Sequence, residues 1–202
     1  MLIAVERLLV RVRQVPTRAD ELIPLRARLR RERRERATAD ERAIALTIRD
    51  LKQRISDALS SVTACAHCAE GKRPPRGVFS GGDCCSGVTA DLFSDDEVAA
   101  LAQAGTRPHR LRAPRTDHAG CAFRGELGCT LAAVDRPGRC VHYTCTTLRR
   151  ELRARGDLAQ IDALLDELQR EMLAFAELRH ARLDDEILGP LEEALRAQGN
   201  SH

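Results

Sequence analysis

Aromatic side chains are almost missing from this chain, which has four Phe, one Tyr and no Trp in 202 residues. Rings normally dominate a core, so Leu, Ala, Val and Ile must do the packing, and no row of stacking platforms is available for single-stranded bases. Lysine is scarce as well: only Lys52 and Lys72 stand among the 33 basic residues. No uncharged apolar run approaches the roughly 18–20 residues that would span a bilayer. The opening stretch MLIAVERLLVRVRQV is interrupted by Glu6, Arg7, Arg11 and Arg13 and leads to no small-residue cleavage site, so a secretory signal is not expected. These absences together predict a cytoplasmic protein with no membrane partner, in a compartment that keeps thiols reduced. Also missing are a Gly-rich cofactor loop, a Walker A sequence and a His-Glu-x-x-His helix. His67-x2-Glu70 lacks the spacing and the Pro-Cys-x2-Cys partner of a zinc deaminase. No small-molecule substrate is indicated.

What the chain does have is sulfur, gathered in one place. All eight cysteines fall in one window, as Cys65-x2-Cys68, the adjacent Cys84-Cys85, then Cys121, Cys129, Cys140 and Cys145. A disulfide framework would suit an even number, but it lacks a secretory context, and Cys84 and Cys85 cannot bridge each other without strain. Inert core thiols would be scattered rather than clustered. Metal ligation accounts for the clustering, because a Cys-x2-Cys step lets two sulfurs converge on one ion while nearby backbone amides donate to them. The expected cofactor is zinc or an iron–sulfur cluster: two four-thiolate zinc sites, one cluster with spare ligands, or a multinuclear site with bridging sulfurs. Arg107, Arg110, Arg112, Arg115, Arg124, Arg136 and Arg139 lie close enough in sequence to offset thiolate charge, or are ordinary surface arginines. His67, His109, His118 and His142 share the window, but eight cysteines leave no need for them as ligands.

Around this module the chain reads as helix, and the expected fold is mainly α. A helical hairpin or bundle, formed by the N- and C-terminal segments, surrounds a loop-rich cysteine metal module. The divisions are 1–62, 63–147 and 148–202. Ile44, Ile48, Leu51, Ile55, Leu59 and Val62 form one helical seam. Leu22, Leu25 and Leu29 extend it backwards, so one helix from Thr17 to Val62, or two with Thr38 as an N-cap, both fit. Met1 to Val15 reads as a shorter helix or a strand, and Gly71 to Gly82 as a loop. Ser94-x-x-Glu97 is a capping box opening a short helix that ends near Gly105. Leu148 and Leu152 belong to a helix that breaks near Gly156, with Asp157 poised to cap the next. That next helix carries Leu158, Ile161, Leu165, Leu168, Met172 and Phe175, and a last piece from Asp184 to Ala197 should bend or break at Gly189-Pro190. Basic and acidic residues number 15 and 9 in 1–62, 10 and 9 in 63–145, and 8 and 12 in 146–202. Antiparallel pairing of the basic and acidic ends is the simplest way to bury both seams.

The ordered features Cys65-x2-Cys68, Cys84-Cys85, Cys121-Ala-Phe, Gly128-Cys129-x-Leu131 and Arg136-Pro137-x2-Cys140-x2-Tyr143-x-Cys145 resemble the YkgJ-like zinc- or iron-chelating cysteine-cluster family, the CxxCxxCC proteins. The likeness covers about residues 63–147. It implies a metal or iron–sulfur centre held by the cysteines, in a family whose larger members include a flagellin lysine methylase. The chain departs from that pattern in the 15 residues between Cys68 and Cys84, in Val141 where an Arg often follows the Cys, and in Ser86 where a basic residue is common.

Three functions follow as expectations. The first is a metal-binding protein whose eight cysteines hold zinc or an iron–sulfur centre. The second is an iron–sulfur redox or protein-modifying enzyme component. The third is a helical adaptor with a structural zinc staple, binding another protein through its acidic or basic amphipathic helices. Nucleic acid is not the expected partner. Seven arginines between Arg26 and Arg36 form a stripe, but Glu32 and Glu35 interleave it, and a solvated face or an acidic docking partner accounts for it.

Overall fold

A computed structural model of the chain describes residues 18–63, 89–114, 121–125 and 128–199. The opening segment Met1 to Val15 and the loop Gly71 to Gly82 lie outside them. The described residues form a mainly α fold: α1 (Arg18–Glu32), α2 (Ala39–Ala58), α3 (Asp95–Gln103), α4 (Gly138–His142), α5 (Thr146–Arg155) and α6 (Leu158–Gly199). The only strands among them are β1 (Arg124–Gly125) and β2 (Gly128–Cys129), antiparallel, with Arg124 opposite Cys129.

The seam from Leu22 to Val62 is cut into two helices, and local hydrogen bonding explains the cut. Thr38 caps α2 in a full capping box: its hydroxyl accepts from the Glu41 amide at 3.0 Å, and its own amide donates to Glu41 Oε2 at 2.9 Å. The two halves then bury against different partners. Leu22, Leu25 and Leu29 of α1 join Phe93, Val98, Leu101, Leu111, Phe123 and Leu131. Ala45, Ile48, Leu51 and Ile55 of α2 join Ile161, Leu165, Leu168 and Phe175 of α6. Helix α3 lies between these cores, giving Val98 and Leu101 to one and Ala99 and Ala100 to the other. Among the described residues one edge-to-face pair, Phe93 on Phe123 at 6.0 Å, serves the first core.

Helices α2 and α6 run antiparallel. Glu41 at the start of α2 meets Arg182 late in α6 at 2.9 Å, while Arg54 near the end of α2 faces Glu167 early in α6 at 3.9 Å. The expected charge match is locally reversed, since the buried acids Glu32 and Glu41 sit on the basic segment and are met by Arg179 and Arg182 of the acidic one. Burial works to lower the Arg182 pKa, but the hydrogen bonds Arg182 donates to Glu186 and Glu41, with their negative charge, outweigh it and hold the guanidinium above its ordinary value.

Helix α5 ends where expected, with Gly156 in the left-handed region at φ 81°. Asp157 stands before α6 and its carbonyl takes the first helical bond, from the Ile161 amide, while its carboxylate is held by Arg155 at 2.8 Å. The expected interruption at Gly189-Pro190 does not occur, because α6 continues through Pro190. Pro190 is exposed there, so water can satisfy the carbonyl that loses its intrahelical donor. Among the described residues no helix is long and apolar enough to cross a membrane.

Candidate metal centre

Four of the eight predicted ligands can be placed. Cys121 is buried in the turn before β1, whose Cys121 carbonyl accepts from the Arg124 amide at 3.0 Å. Cys129 is half-buried on β2, Cys140 half-buried in the middle of α4, and Cys145 half-buried as the N-cap of α5. None of the four is joined in a disulfide. Cys65, Cys68, Cys84 and Cys85 lie outside the described residues, as do His67 and His118.

Three of the placed thiols belong to one neighbourhood. Cys121, Cys129 and Cys140 all pack on the apolar cluster built around Leu22, Phe93 and Phe123. Cys145 packs on the α2–α6 cluster instead, and its sulfur accepts the Leu148 amide at 3.4 Å. Among the described residues no group of three or more His, Cys, Asp or Glu side chains is arranged to hold a metal. The placed thiols suit a thiophilic ion chemically, but a four-sulfur shell would have to draw on Cys65, Cys68, Cys84 or Cys85 as well.

The scaffold around these thiols is polar and specific. Thr89, fully buried, donates to Glu21 of α1 at 2.8 Å and accepts the Ala122 amide at 2.8 Å, fixing the backbone beside Cys121. The turn leading to Cys140 is held from several sides. Asp135, 1% exposed, takes Thr106 Oγ1 at 2.7 Å on one oxygen and Arg110 Nε at 2.9 Å on the other. Lys52 of α2, 3% exposed, donates to the Arg136 carbonyl at 2.7 Å. Glu97 of α3 closes its own capping box with Ser94 and uses its second oxygen to accept the Gly138 amide at 2.6 Å. A Cβ at Gly138 would overlap the Met172 thioether and stand 3.0 Å from Glu97 Oε1, so any larger residue there would displace the end of the Met172 side chain.

Burial pushes the Lys52 pKa down to about 8, against the opposing pull of Glu97, Asp135 and Cys140. Lys52 thus fastens the backbone four residues before a predicted ligand, Cys140. Of the arginines expected to offset thiolate charge, Arg124 is buried as the cross-strand neighbour of Cys129, Arg110 is committed to Asp135, and Arg136 donates to the Leu131 carbonyl at 3.1 Å. Arg107, Arg112 and Arg139 are exposed, as are His109 and His142, and Arg115 lies outside the described residues. Part of the arginine stripe is structural as well: Arg26 donates to the Leu111 carbonyl, Arg28 to Phe93 and Asp95, and Arg33 to the Thr106 carbonyl, which leaves Arg30, Arg31, Arg34 and Arg36 on the exposed face.

Lys52 and Thr89 are the residues that motif reading passes over. For Lys52 a signal exists, since one of only two lysines falls four residues after Ile48 on the buried seam. Thr89 carries no comparable mark.

Comparison with known proteins adds no relative. No family model matches the chain, and neither a curated protein nor a solved structure is significantly similar to it.

Proposed function

We propose that this is a metal-binding protein whose cysteine module holds zinc or an iron–sulfur centre on a helical scaffold. The observation that carries the reading is that Cys121, Cys129 and Cys140, none in a disulfide, all pack on the same apolar cluster. Cys65, Cys68, Cys84, Cys85 and Cys145 are the remaining proposed ligands. The resemblance of residues 63–147 to YkgJ-like cysteine-cluster proteins supports the same chemistry, and a cytoplasmic setting would keep the thiols available to a metal. Bound zinc would supply a closed structural site, whereas an iron–sulfur centre would supply a redox couple. The adaptor alternative has less support, because the basic and acidic helices that it would offer to partners pair with each other.

Elemental analysis with an ultraviolet–visible spectrum of anaerobically purified protein tests the proposal. Brown protein that bleaches with dithionite identifies iron, and colourless protein with stoichiometric zinc identifies a zinc site. Protein without metal, whose eight cysteines all titrate as accessible thiols, would overturn the reading.

A further inference from the structure

The turn that carries Cys140 is tied down by groups from elements with cores of their own. Thr106 and Arg110 hold both oxygens of Asp135, Lys52 reaches from α2 to the Arg136 carbonyl, Glu97 reaches from α3 to the Gly138 amide, and Met172 of α6 closes on Gly138. Directly after these anchors, the amides of Cys140 and Val141 donate to the Pro137 carbonyl at 3.0 and 3.3 Å, winding the short helix that presents the thiol.

We infer that residues 135–140 form a seat for Cys140 that is built without metal, with Lys52 and Glu97 as its positioning residues. Asp135 and Lys52 are buried charged groups, and leaving either unpaired costs more than their pairing gains, so the network holds together or fails as a unit. Its anchor points lie on α2, α3 and the Pro108–Arg110 turn, and α2 and α3 are fixed by apolar burial rather than by sulfur. This differs from a zinc finger, whose chain has no fold until the ion arrives. A seat of this kind shortens the ordering that metal capture must bring about, and it slows metal loss by denying Cys140 other positions. What the seat is for rests on the metal-binding reading, whereas its existence does not.

Amide hydrogen exchange on the full chain, stripped of metal under a reductant and a chelator, tests the seat directly. The amides of Gly138, Cys140 and Val141 should exchange at least about a hundredfold more slowly than in the unfolded chain. Glu97→Ala should bring Gly138 close to the unfolded rate while α2 and α6 stay protected. The same variant, loaded with Zn2+, should release it to a competing chelator about tenfold faster than wild type, the effect of one lost buried hydrogen bond. Glu97→Gln keeps an oxygen that can accept the Gly138 amide and should restore both properties, which a general loss of packing would not allow. Should Glu97→Ala fail to fold, Lys52→Met replaces it, with faster exchange expected over residues 136–141. Unprotected amides at 138–141 in metal-free wild type, beside protected α2 and α6, would overturn the seat. Zn2+ release unchanged in both alanine and methionine variants would overturn the positioning role. If the chain holds neither Zn2+ nor an iron–sulfur centre, the metal reading fails while the exchange data still decide whether the seat exists.

Discussion

Lys52 sits where the helical seam calls for an apolar side chain, four residues after Ile48 and three before Ile55, and is 3% exposed. Removing an ammonium from water disfavours its charged form, and Glu97, Asp135 and Cys140 recover only part of that cost, leaving a pKa of about 8 against 10.5 in the unfolded chain. Between these values the unfolded state binds more protons than the folded one, so the contribution of Lys52 to stability rises with pH and is lost as pH falls from 10.5 through 8. The full change is on the order of 3 kcal/mol. Denaturant titrations of wild type and Lys52→Met from pH 8 to 10.5 should show wild type gaining that amount relative to the variant. Cysteine ionisation affects both proteins and largely cancels in the difference. Parallel stability curves would mean that Lys52 titrates normally and that its burial is not as described. At this scale the eight cysteines were plain in the sequence, because clustering is a pattern of residue type. The side chains that hold the thiols in place were not, because Thr106, Arg110 and Asp135 form an ordinary surface motif until the chain folds them inward.

Helix boundaries show which local signals survive folding. Two capping boxes, Thr38 with Glu41 and Ser94 with Glu97, begin α2 and α3 where their spacing indicates, and Gly156 ends α5, since each of these is settled by a few adjacent residues. The break between α1 and α2 was ambiguous in the apolar spacing, which continues across it; the Thr38 capping box makes the cut, and the two halves then bury on separate cores. Of the bend or interruption expected at Gly189-Pro190, the interruption does not occur, since at an exposed position water can take the carbonyl that loses its donor. The left-handed turn at Gly156 has nothing within 4 Å of an added Cβ, so Gly156→Ala should cost only the backbone strain, about 1 kcal/mol in urea denaturation. No loss would show that the turn relaxes to another cap. The ion pairs between α2 and α6 should differ sharply in weight. Glu41 is 1% exposed, so Arg182→Ala leaves a carboxylate buried with less compensation and should cost about 2–4 kcal/mol. Arg54 meets Glu167 at 3.9 Å on the surface, and Arg54→Ala should cost less than about 0.5 kcal/mol. Equal losses in the two variants would contradict the burial asymmetry between the two ends of the hairpin.

At the scale of the molecule, the described residues form two apolar cores joined through α3, with Cys121, Cys129 and Cys140 packed on one and Cys145 on the other. That arrangement changes what metal removal should do. A loop-rich module with few aromatics predicts, on sequence grounds, that a structural ion supplies a large share of the folding energy, on the order of 10 kcal/mol as in zinc fingers, and that stripping it melts residues 63–145. The described part of that module is instead fastened to the helices by Arg26, Arg28 and Arg33, by Thr89 on Glu21, and by Lys52 and Glu97 on the Cys140 turn. None of those contacts runs through a sulfur atom, and both described cores are built mainly from aliphatic and aromatic side chains. Chelation should therefore lower the thermal midpoint, because a ligand that binds only the folded state stabilises it by mass action. The far-ultraviolet helical signal below that midpoint should fall by less than about one-tenth, since α2, α3 and α6 rest on apolar burial. The measurement is circular dichroism of metal-loaded and chelated full-length protein, with melting followed at the helical band. Collapse of the helical signal at low temperature on chelation would show that the ion, rather than the two cores, organises the fold, and would return the module to the zinc-finger regime.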